Sequence, residues 1–428
     1  MAKMKTRSAR LIIGYNGREI SGDMEDFTYT DPAGGASDSI SIKLGDRDGK
    51  WIDAWMPEKG DIATASILVE DWQKEGDSRN LFTGEFIVDE IGLSGDPVSV
   101  SIGAVSKPAD DAFSATKRSR TWENVTLREI AQTIAGKYHL ALVYDGEDIP
   151  IQTKEQDGET DGAFLKSLCE SYGLLLKVYR RKLVLYDRER YKEKPAVLTL
   201  ERLGDVQEWS FERTLDGSYT GGKITYTDPM TEKDVVYTVG MQTRPLELNE
   251  KADNAADAER ILKAKLADAN HGTEKISFRL MGEPRIVSGQ VISLEGFGRK
   301  ISGNYFIDTA EHSVSRSGGY TTRISASRIG TGGSEAERAI DFLASIGIIV
   351  TPEYWKENVG KVSHLDLLLC NMAAKIKSNA GGGSITETGE AIAALAEAGI
   401  ISTPDYWIQH QGELPWLGQL LQNAANAL

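Results

Sequence analysis

Apolar and polar residues alternate in short runs through the first hundred residues, and this period of two constrains the fold more than any other feature. The runs include Ile40, Ile42 and Leu44, then Phe86 and Val88, then Val98, Val100 and Ile102. Because successive side chains of a strand point to opposite faces, such runs predict half-buried strands. Turn-forming segments at 31–35, 46–49 and 94–97 separate them. We expect an antiparallel β domain over residues 1–115.

The periodicity becomes helical after Trp122. Thr126 and Glu129 have the spacing of a capping box, in which each residue bonds the backbone N–H of the other. Apolar residues then follow at helical intervals, namely Leu127, Ile130, Ala131, Ile134 and Ala135. These signals predict an amphipathic helix that begins just after the capping box.

A second helix and a hairpin follow. Asp161 is predicted to be the N-cap of this helix, and Gly173 is expected to end it. Two apolar runs flank Arg180 and Arg181, which predicts a β-hairpin around that pair. We therefore expect a small α+β domain over residues 116–192.

Strand patterns return over residues 193–330, interrupted by one helix predicted at 254–269 because it is rich in Ala, Leu, Lys and Glu. Strand-like runs after it lie at 275–280, 291–294, 305–309 and 320–325. This stretch is expected to form a second β domain. The glycine-rich segment 330–333 that closes it has the composition of a flexible linker.

The remainder of the chain contains an internal repeat. Ala391 repeats Ala339 at an offset of 52 residues, and Tyr406-Trp407 repeats Tyr354-Trp355 at the same offset. Such self-similarity predicts a duplicated helix-turn-helix unit, with copies at 334–378 and 386–428. The aromatic pair is expected to cover the apolar helix faces rather than to form a ligand cage. The whole chain is thus predicted to be α+β and mostly β, with an all-α pair of repeats at its C-terminal end.

Composition excludes several classes of protein. A chain of 428 residues favours about three domains. The net charge of −15 opposes attraction to phosphates, so we expect no sequence-specific nucleic-acid binding. No window is apolar enough for a membrane span or a signal peptide. The two cysteines, Cys169 and Cys370, lie in apolar helical patterns, which favours buried thiols over disulfides or zinc.

The sequence contains no recognisable catalytic constellation. The five histidines (His139, His271, His312, His364 and His410) lack metal-ligand spacing. His364 and Cys370 are six positions apart on one predicted helix, which places them on different faces. The acidic pairs Glu25-Asp26 and Asp110-Asp111 are expected to be solvated loop charges rather than glycosidase carboxylates. We therefore predict no catalytic, cofactor-binding or metal-binding residues and no cofactor.

Four segments resemble one family, the late control protein D group of phage tail proteins, which form the baseplate hub. They are 81–90 (LFTGEFIVDE), 122–131 (WENVTLREIA), 161–173 (DGAFLKSLCESYG) with 183–187 (LVLYD), and 301–307 (ISGNYFI) with 318–322 (GGYTT). The first looks like a strand pair of the first domain, the second like the first inner helix, and the last like the closing hairpin. The third is the most specific. The resemblance covers about residues 5–330.

The resemblance implies a structural, non-enzymatic protein. It implies a homotrimer with two tube-like β domains per subunit, which joins the hexameric tail tube to a trimeric central spike in a contractile phage tail or tailocin. Assembly in the bacterial cytoplasm and incorporation into the particle follow from that role. The family's core does not account for the C-terminal repeats, which we expect to dock on tape-measure or baseplate wedge proteins because their apolar faces suit protein partners.

Two other functions remain open from the sequence. A tail-associated peptidoglycan hydrolase or cell-wall-binding subunit would use the repeats on glycan, with Cys370 as the candidate nucleophile. A secreted polysaccharide-binding module is the third interpretation.

Overall fold

The computed structural model describes residues 7–106, 112–215, 217–228, 231–240, 242, 244–298, 300–329, 352, 388–397 and 404–409. The chain divides into two compact units. One comprises Met1–Ser218, Lys223–Val239 and Glu247–Ile329, and the other comprises Tyr219–Gly222, Gly240–Leu246 and Gly330–Leu428.

The first β module runs from Ser8 to Val105 and alternates as its sequence predicts. Its strands are β1 (Ser8–Tyr15), β2 (Arg18–Glu19), β3 (Met24–Pro32), β4 (Ser39–Gly45), β5 (Ile62–Glu70), β6 (Arg79–Ser94) and β7 (Ser99–Val105). In β4, Ile40, Ile42 and Leu44 are buried while the residues between them are not. The buried side chains of these strands pack around Trp51, which is fully buried.

The α+β module spans Ala112 to Lys192. It contains α1 (Ala112–Ala115), β8 (Lys117–Thr126), α2 (Leu127–Lys137), β9 (Ala141–Asp145), β10 (Pro150–Thr160), α3 (Asp161–Ser171), β11 (Leu174–Tyr179), β12 (Lys182–Asp187) and α4 (Arg188–Lys192). β8 pairs with β10, and β11–β12–β9 form a second small sheet. The two main helices bury their apolar faces between these sheets in one core.

The second β module runs from Leu198 to Arg328. Its elements are β13 (Leu198–Glu201), β14 (Val206–Arg213), β15 (Gly221–Thr227), β16 (Asp234–Gly240), β17 (Pro245–Asn249), α5 (Ala255–Asn270), β18 (Glu274–Met281), β19 (Val291–Glu295), β20 (Gly303–Ser315) and β21 (Gly319–Arg328). The predicted helix and the strand runs at 305–309 and 320–325 are confirmed.

One sheet runs through both β modules, in the order β14–β18–β21–β20–β3–β4–β7–β6–β5–β1–β2, and β19 and β13 branch from β20. The joint between the modules is the antiparallel pair of β3 and β20, with Tyr29 opposite His312. Because backbone hydrogen bonds cross this joint, the two modules share a continuous ladder rather than a side-chain interface alone.

The helix and hairpin signals of the α+β module are largely confirmed. Thr126 accepts from the Glu129 backbone N–H, and the Glu129 carboxylate accepts from the Thr126 N–H, which completes the capping box. Arg180 and Arg181 both adopt positive φ in the turn between β11 and β12. Gly173, with φ of 72°, follows the second helix.

The predicted N-cap of α3 is wrong by one residue. Thr160 is the N-cap, and its hydroxyl accepts from the Ala163 N–H. Asp161 is the first helical residue, and its carboxylate is buried among basic and polar partners. The predicted helical segment at 122–131 also begins as a strand, because Trp122 lies in β8 and the helix starts only at Leu127.

Most of the C-terminal repeats lies outside the described residues. Two segments of the second copy are described, α6 (Thr388–Glu397) and α7 (Pro404–Gln409). Both segments are helical, and the predicted duplication stays a prediction because its first copy lies almost wholly outside the described residues. α7 begins at Pro404, since proline lacks the N–H that the first helical residue would leave unpaired.

Candidate assembly interface

The groups that could carry chemistry are dispersed or buried. Within the ranges that the structure describes, no three His, Cys, Asp or Glu side chains are placed to hold a metal ion. His139 is exposed, whereas Cys169 is buried and its burial raises the pKa of its thiol, which makes it a poor nucleophile. His364, Cys370, His410 and the Asp110-Asp111 pair lie outside the described residues. The loop assignment of Glu25-Asp26 is wrong, because both residues lie on strand β3, and the Glu25 carboxylate is 3.4 Å from Lys43 Nζ.

His312 is a packing residue. Its Nε2 is 3.0 Å from the Ile286 carbonyl oxygen, and its Nδ1 is 2.8 Å from the Tyr320 hydroxyl. Burial lowers the pKa of His312 to about 4, so the ring is neutral near pH 7. His271 is also engaged, with its Nε2 2.7 Å from Asp308 Oδ1. Neither histidine faces a reactive partner.

The two ends of the continuous sheet are its most distinctive surfaces. β14 forms one end and pairs only with β18 among the described strands. It is largely exposed on both faces, which is unusual for a strand in a sheet. Three apolar side chains lie exposed on this strand and its flanks: Leu203 (86%), Trp209 (43%) and Leu215 (76%). An open edge with exposed apolar side chains is typical of a surface that pairs with another chain.

The opposite end of the sheet is β1. It pairs with β5 along its full length, whereas β2 covers only Gly14 and Tyr15. Ile13 is also engaged, because it bonds Ser21 and Ile20. Within the described part of the chain, residues 8–12 therefore present backbone groups without a strand partner on one side. The sheet thus has an open edge at each end.

The two edges differ in charge. Residues 7–15 contain two arginines and no acidic residue. Residues 201–213, which include β14, contain four acidic and two basic residues. Opposite charge on the two edges favours their pairing with each other over the pairing of either edge with itself.

A buried ion cluster fixes the α+β module against both β modules. Lys177 on β11 contacts the carboxylates of Asp31 and Asp38, and its Nζ lies 2.8 Å from Asp38 Oδ1. Asp31 also accepts from the backbone N–H of Ser288, at 2.8 Å, and from its hydroxyl, at 2.7 Å. One lysine and one aspartate therefore connect all three modules.

The ionisation of this cluster follows from its burial. Burial and the neighbouring Asp31 raise the pKa of Asp38 to about 6, although Lys177 acts in the opposite direction. Burial alone would lower the pKa of Lys177, but the two carboxylates raise it above its ordinary value. The lysine is therefore charged at neutral pH.

Apolar and backbone contacts reinforce the same junction. Ala33, Tyr186 and Phe306 pack together, one from each module. The Tyr186 hydroxyl donates to the Ala33 carbonyl oxygen at 2.6 Å, and the Ala33 N–H donates to the Asp308 carbonyl oxygen at 2.8 Å. These contacts make the junction a fixed joint rather than a hinge.

Lys177, Asp31 and Asp38 are not among the residues that the sequence pattern predicts to be functional. One signal was present, because Lys177 interrupts the apolar run of β11, and a lysine in such a run must find a buried partner or remain at the surface. Its partners could not be read from the sequence, since they lie more than a hundred positions away.

No helix in the described ranges is long and apolar enough to cross a membrane. The fold is similar to those of two solved tail proteins. The 43 kDa tail protein of prophage MuSo2 from Shewanella oneidensis matches 75% of this chain and 98% of its own, with a TM-score of 0.58 and 16% identity. A tail protein from Neisseria meningitidis MC58 matches 76% of this chain and 98% of its own, with a TM-score of 0.58 and 15% identity.

Sequence similarity points the same way. A probable baseplate hub protein of Escherichia phage 186 is 29% identical over 247 residues, which cover 55% of this chain and 61% of that relative. The match thus spans about three fifths of the relative's length. The family model for the phage tail baseplate hub (GPD) matches residues 73–318, more than half of the chain. The chain therefore belongs to the phage tail baseplate hub family of structural proteins.

Proposed function

We propose that this chain is a homotrimeric baseplate hub that joins the hexameric tail tube to the trimeric central spike of a phage tail or tailocin. The observation that carries the proposal is the continuous sheet, which has an open, apolar edge at β14 and an open, basic edge at β1. Because these edges lie at opposite ends of one sheet, pairing between them joins copies head to tail.

Head-to-tail pairing has a definite outcome. An interface between two different surfaces of the same chain forms a ring when the rotation closes and a filament when it does not. Each chain contributes two β modules to one sheet, so three chains place six β modules around an axis. A threefold ring of this kind offers six similar positions to a hexameric tube on one side and threefold symmetry to a spike on the other.

The remaining parts of the chain take supporting roles. The junction of Lys177, Asp31 and Asp38 holds the α+β module at a fixed position on each subunit. The net charge of −15 suits a channel through which DNA or other cargo slides without binding. The C-terminal repeats dock on tape-measure or baseplate wedge proteins, and assembly takes place in the bacterial cytoplasm before incorporation into the particle.

The mass of the purified chain in solution tests the ring. Light scattering coupled to size exclusion should give about 140 kDa, three times the chain mass of 46.8 kDa. Leu203→Lys combined with Leu215→Lys places positive charges at the β14 edge, opposite the basic β1 edge, and should yield the monomer mass. Both residues are exposed, so the free subunit should keep its stability within about 0.5 kcal/mol.

Val236→Lys is the matched control, because Val236 is exposed on β16, which belongs to a different sheet from β14. This variant should keep the trimer mass. A monomeric unmutated chain, or a double variant that stays trimeric, would contradict ring closure through β14. In parallel, the purified chain should leave a suspension of cell walls turbid. Clearing of the suspension would contradict a purely structural role.

A further inference from the structure

The directions of the two edge strands determine how they pair in the ring of the proposed function, on which this inference rests. Ten described strands lie on the path from β14 to β1, and every neighbouring pair along that path is antiparallel. β1 therefore runs opposite to β14. A rotation about the ring axis keeps each strand's direction along that axis, so β1 of one subunit lies antiparallel to β14 of the next.

The outward backbone groups of β1 belong to its odd-numbered residues. The Ile13 N–H donates to the Ser21 hydroxyl at 2.9 Å, and its carbonyl oxygen accepts from the Ile20 N–H at 2.9 Å, so both groups point away from β5. Backbone direction alternates along an antiparallel strand, so the groups of Ala9 and Leu11 point the same way. Among the described residues, these two have no strand partner on that side.

The outward backbone groups of β14 are also those of odd-numbered residues. Just after the strand, the Thr214 N–H donates to the Thr273 carbonyl oxygen at 2.9 Å, on the side of β18. By the same alternation, the even-numbered residues of β14 bond β18, whereas Trp209 and Phe211 direct their backbone groups outward. No described strand meets them there.

The apolar side chains of both edges lie on one face of the sheet. Leu11 belongs to the core of the first β module, and Phe211 packs on the core of the second. Trp209 contacts Phe297 of that second core, with ring centroids 5.3 Å apart. Directly opposite residues of antiparallel strands share a face, and the succession of such pairs from Trp209 to Leu11 keeps the two residues on the same face.

We propose that β1 of one subunit pairs with β14 of the next in the antiparallel register that places Leu11 opposite Trp209 and Ala9 opposite Phe211. In this register the outward backbone groups of the two strands meet, and their apolar side chains share one face of a continued sheet. A shift of one residue would turn the backbone groups of one strand away from those of the other. It would also bring the apolar side chains to opposite faces.

Shifts of two residues are unfavourable for other reasons. Moving Trp209 toward Ile13 would require the backbone groups that Ile13 already uses within its own chain. Moving Trp209 toward Ala9 would bring Leu11 opposite Gln207, inside the bulge that interrupts β14. The proposed register places the regular part of β14 against the open part of β1.

Arg10 is the charge that selects this register and a second copy of the chain as the partner. It lies opposite the next subunit's Ser210, so Glu208 and Glu212 are its two diagonal neighbours, about 7–8 Å away along the backbone and within reach of a long side chain. Within its own chain, the Arg10 side chain is 70% exposed and only 3.6 Å from Glu19. An exposed ion pair of this kind is weak, so Arg10 can turn to two carboxylates across the interface.

Cysteine cross-linking tests the register. Ser8 and the next subunit's Glu212 form a non-hydrogen-bonded pair in it, where opposite side chains come close enough for a disulfide. The cross-linking chains also carry Cys370→Ser, and the other native cysteine is buried. Ser8→Cys combined with Glu212→Cys should form covalent trimers on air oxidation with copper phenanthroline, visible on a non-reducing denaturing gel.

Two matched pairs probe the neighbouring registers. Ser8→Cys with Ser210→Cys and Ile12→Cys with Ser210→Cys would be cross-linked only if the strands were shifted by two residues, and both should stay mostly uncross-linked. All three chains keep Arg10. A trimer that cross-links the shifted pairs as readily, or that fails to cross-link Ser8→Cys with Glu212→Cys, would overturn the register and leave the ring in place. A monomeric chain in light scattering would overturn ring and register together.

Charge reversal tests the part played by Arg10. Arg10→Glu places like charges together at the interface and should shift the mass in solution from three chains to one. Adding Glu212→Arg to that chain should restore the trimer, because the opposite charges are then exchanged. Lys182→Glu reverses an exposed charge in a different sheet and should keep the trimer mass. An Arg10→Glu chain that stays trimeric would overturn the assignment of Arg10.

Discussion

The rings of Tyr29 and His312 stack at the joint between the two β modules, with centroids 6.1 Å apart and planes 19° apart. The two residues are direct partners in the β3–β20 pair, and both side chains are buried. A titratable ring thus lies inside the ladder that joins the modules. The stability of the joint should therefore depend on pH.

Acidification should destabilise the protein through His312. Its pKa is about 4 in the folded chain and about 6.5 when unfolded, so between these values the unfolded state binds more protons. The stabilisation is full above pH 6.5 and is lost as the pH falls toward 4, with a size of about 3 kcal/mol. Urea unfolding at pH 7, 5.5 and 4.5 should show a steeper loss for the unmutated chain than for His312→Gln.

The difference between the two chains isolates His312. Asp38, whose raised pKa of about 6 favours stability at low pH, acts equally in both. His139→Gln changes an exposed histidine and should reproduce the unmutated pH dependence. Parallel pH profiles for the unmutated chain and His312→Gln would refute this account of the ring.

Lys177→Met should destabilise the chain by about 3–5 kcal/mol at pH 7.5. The change leaves Asp31 and Asp38 buried with no cation beside them, and breaking a buried ion pair by removing one partner has this typical cost. At pH 5 the loss should be smaller, because Asp38 then takes up a proton. Chemical denaturation at the two pH values measures both effects.

Lys182→Met is the matched control for Lys177. It makes the same substitution on the same hairpin at an exposed position and should change the free energy of unfolding by less than about 0.5 kcal/mol. An equally small effect of Lys177→Met would show that the junction does not depend on its ion cluster.

Gly282→Ala should destabilise the second β module by about 1–3 kcal/mol. A Cβ at this position would lie 2.1 Å from the Tyr320 ring, which packs in turn on Trp72 and His312. Gly204→Ala is the control, because nothing lies within 4 Å of its Cβ position. Thermal unfolding should separate the two variants clearly, and similar melting temperatures would contradict the predicted clash.

Thr160→Ala should cost about 1 kcal/mol, because it removes the hydroxyl that caps α3. Thr160→Ser keeps an N-capping hydroxyl and should restore most of the loss. Denaturant midpoints of the three chains test this assignment. If Ser and Ala behave alike, Thr160 is not the functional cap.

Local signals in the sequence predicted much of the α+β module. Thr126 and Glu129 encode their own hydrogen bonds through spacing, and the Arg180-Arg181 turn lies between two apolar runs of similar length. In such cases the contacting residues are close together in the chain, so the spacing of the residues is enough to predict the contact. The same holds for the alternating strands of the first β module.

Long-range features could not be predicted in this way. β8 and β10 pair along mostly exposed, polar residues, so neither strand shows an apolar period. The sequence predicts Asp161 as a cap because aspartate is a common cap residue, whereas its position in the fold depends on hydrogen bonds from Lys137 and Tyr138. The pairing of β3 with β20 cannot be predicted from the sequence, because the alternation of apolar and polar residues does not specify which two strands pair.

The β3–β20 joint also orders events during synthesis of the chain. Thr28 and Ser313, whose side-chain oxygens lie 3.2 Å apart across this pair, are separated by 285 residues. At a translation rate of about 5–20 residues per second, roughly 15 to 60 s pass between the emergence of one and the other. Throughout that interval β3 lacks the neighbour it will have in the finished subunit, and a nascent hub must keep this strand from pairing with other chains until the ribosome has delivered β20.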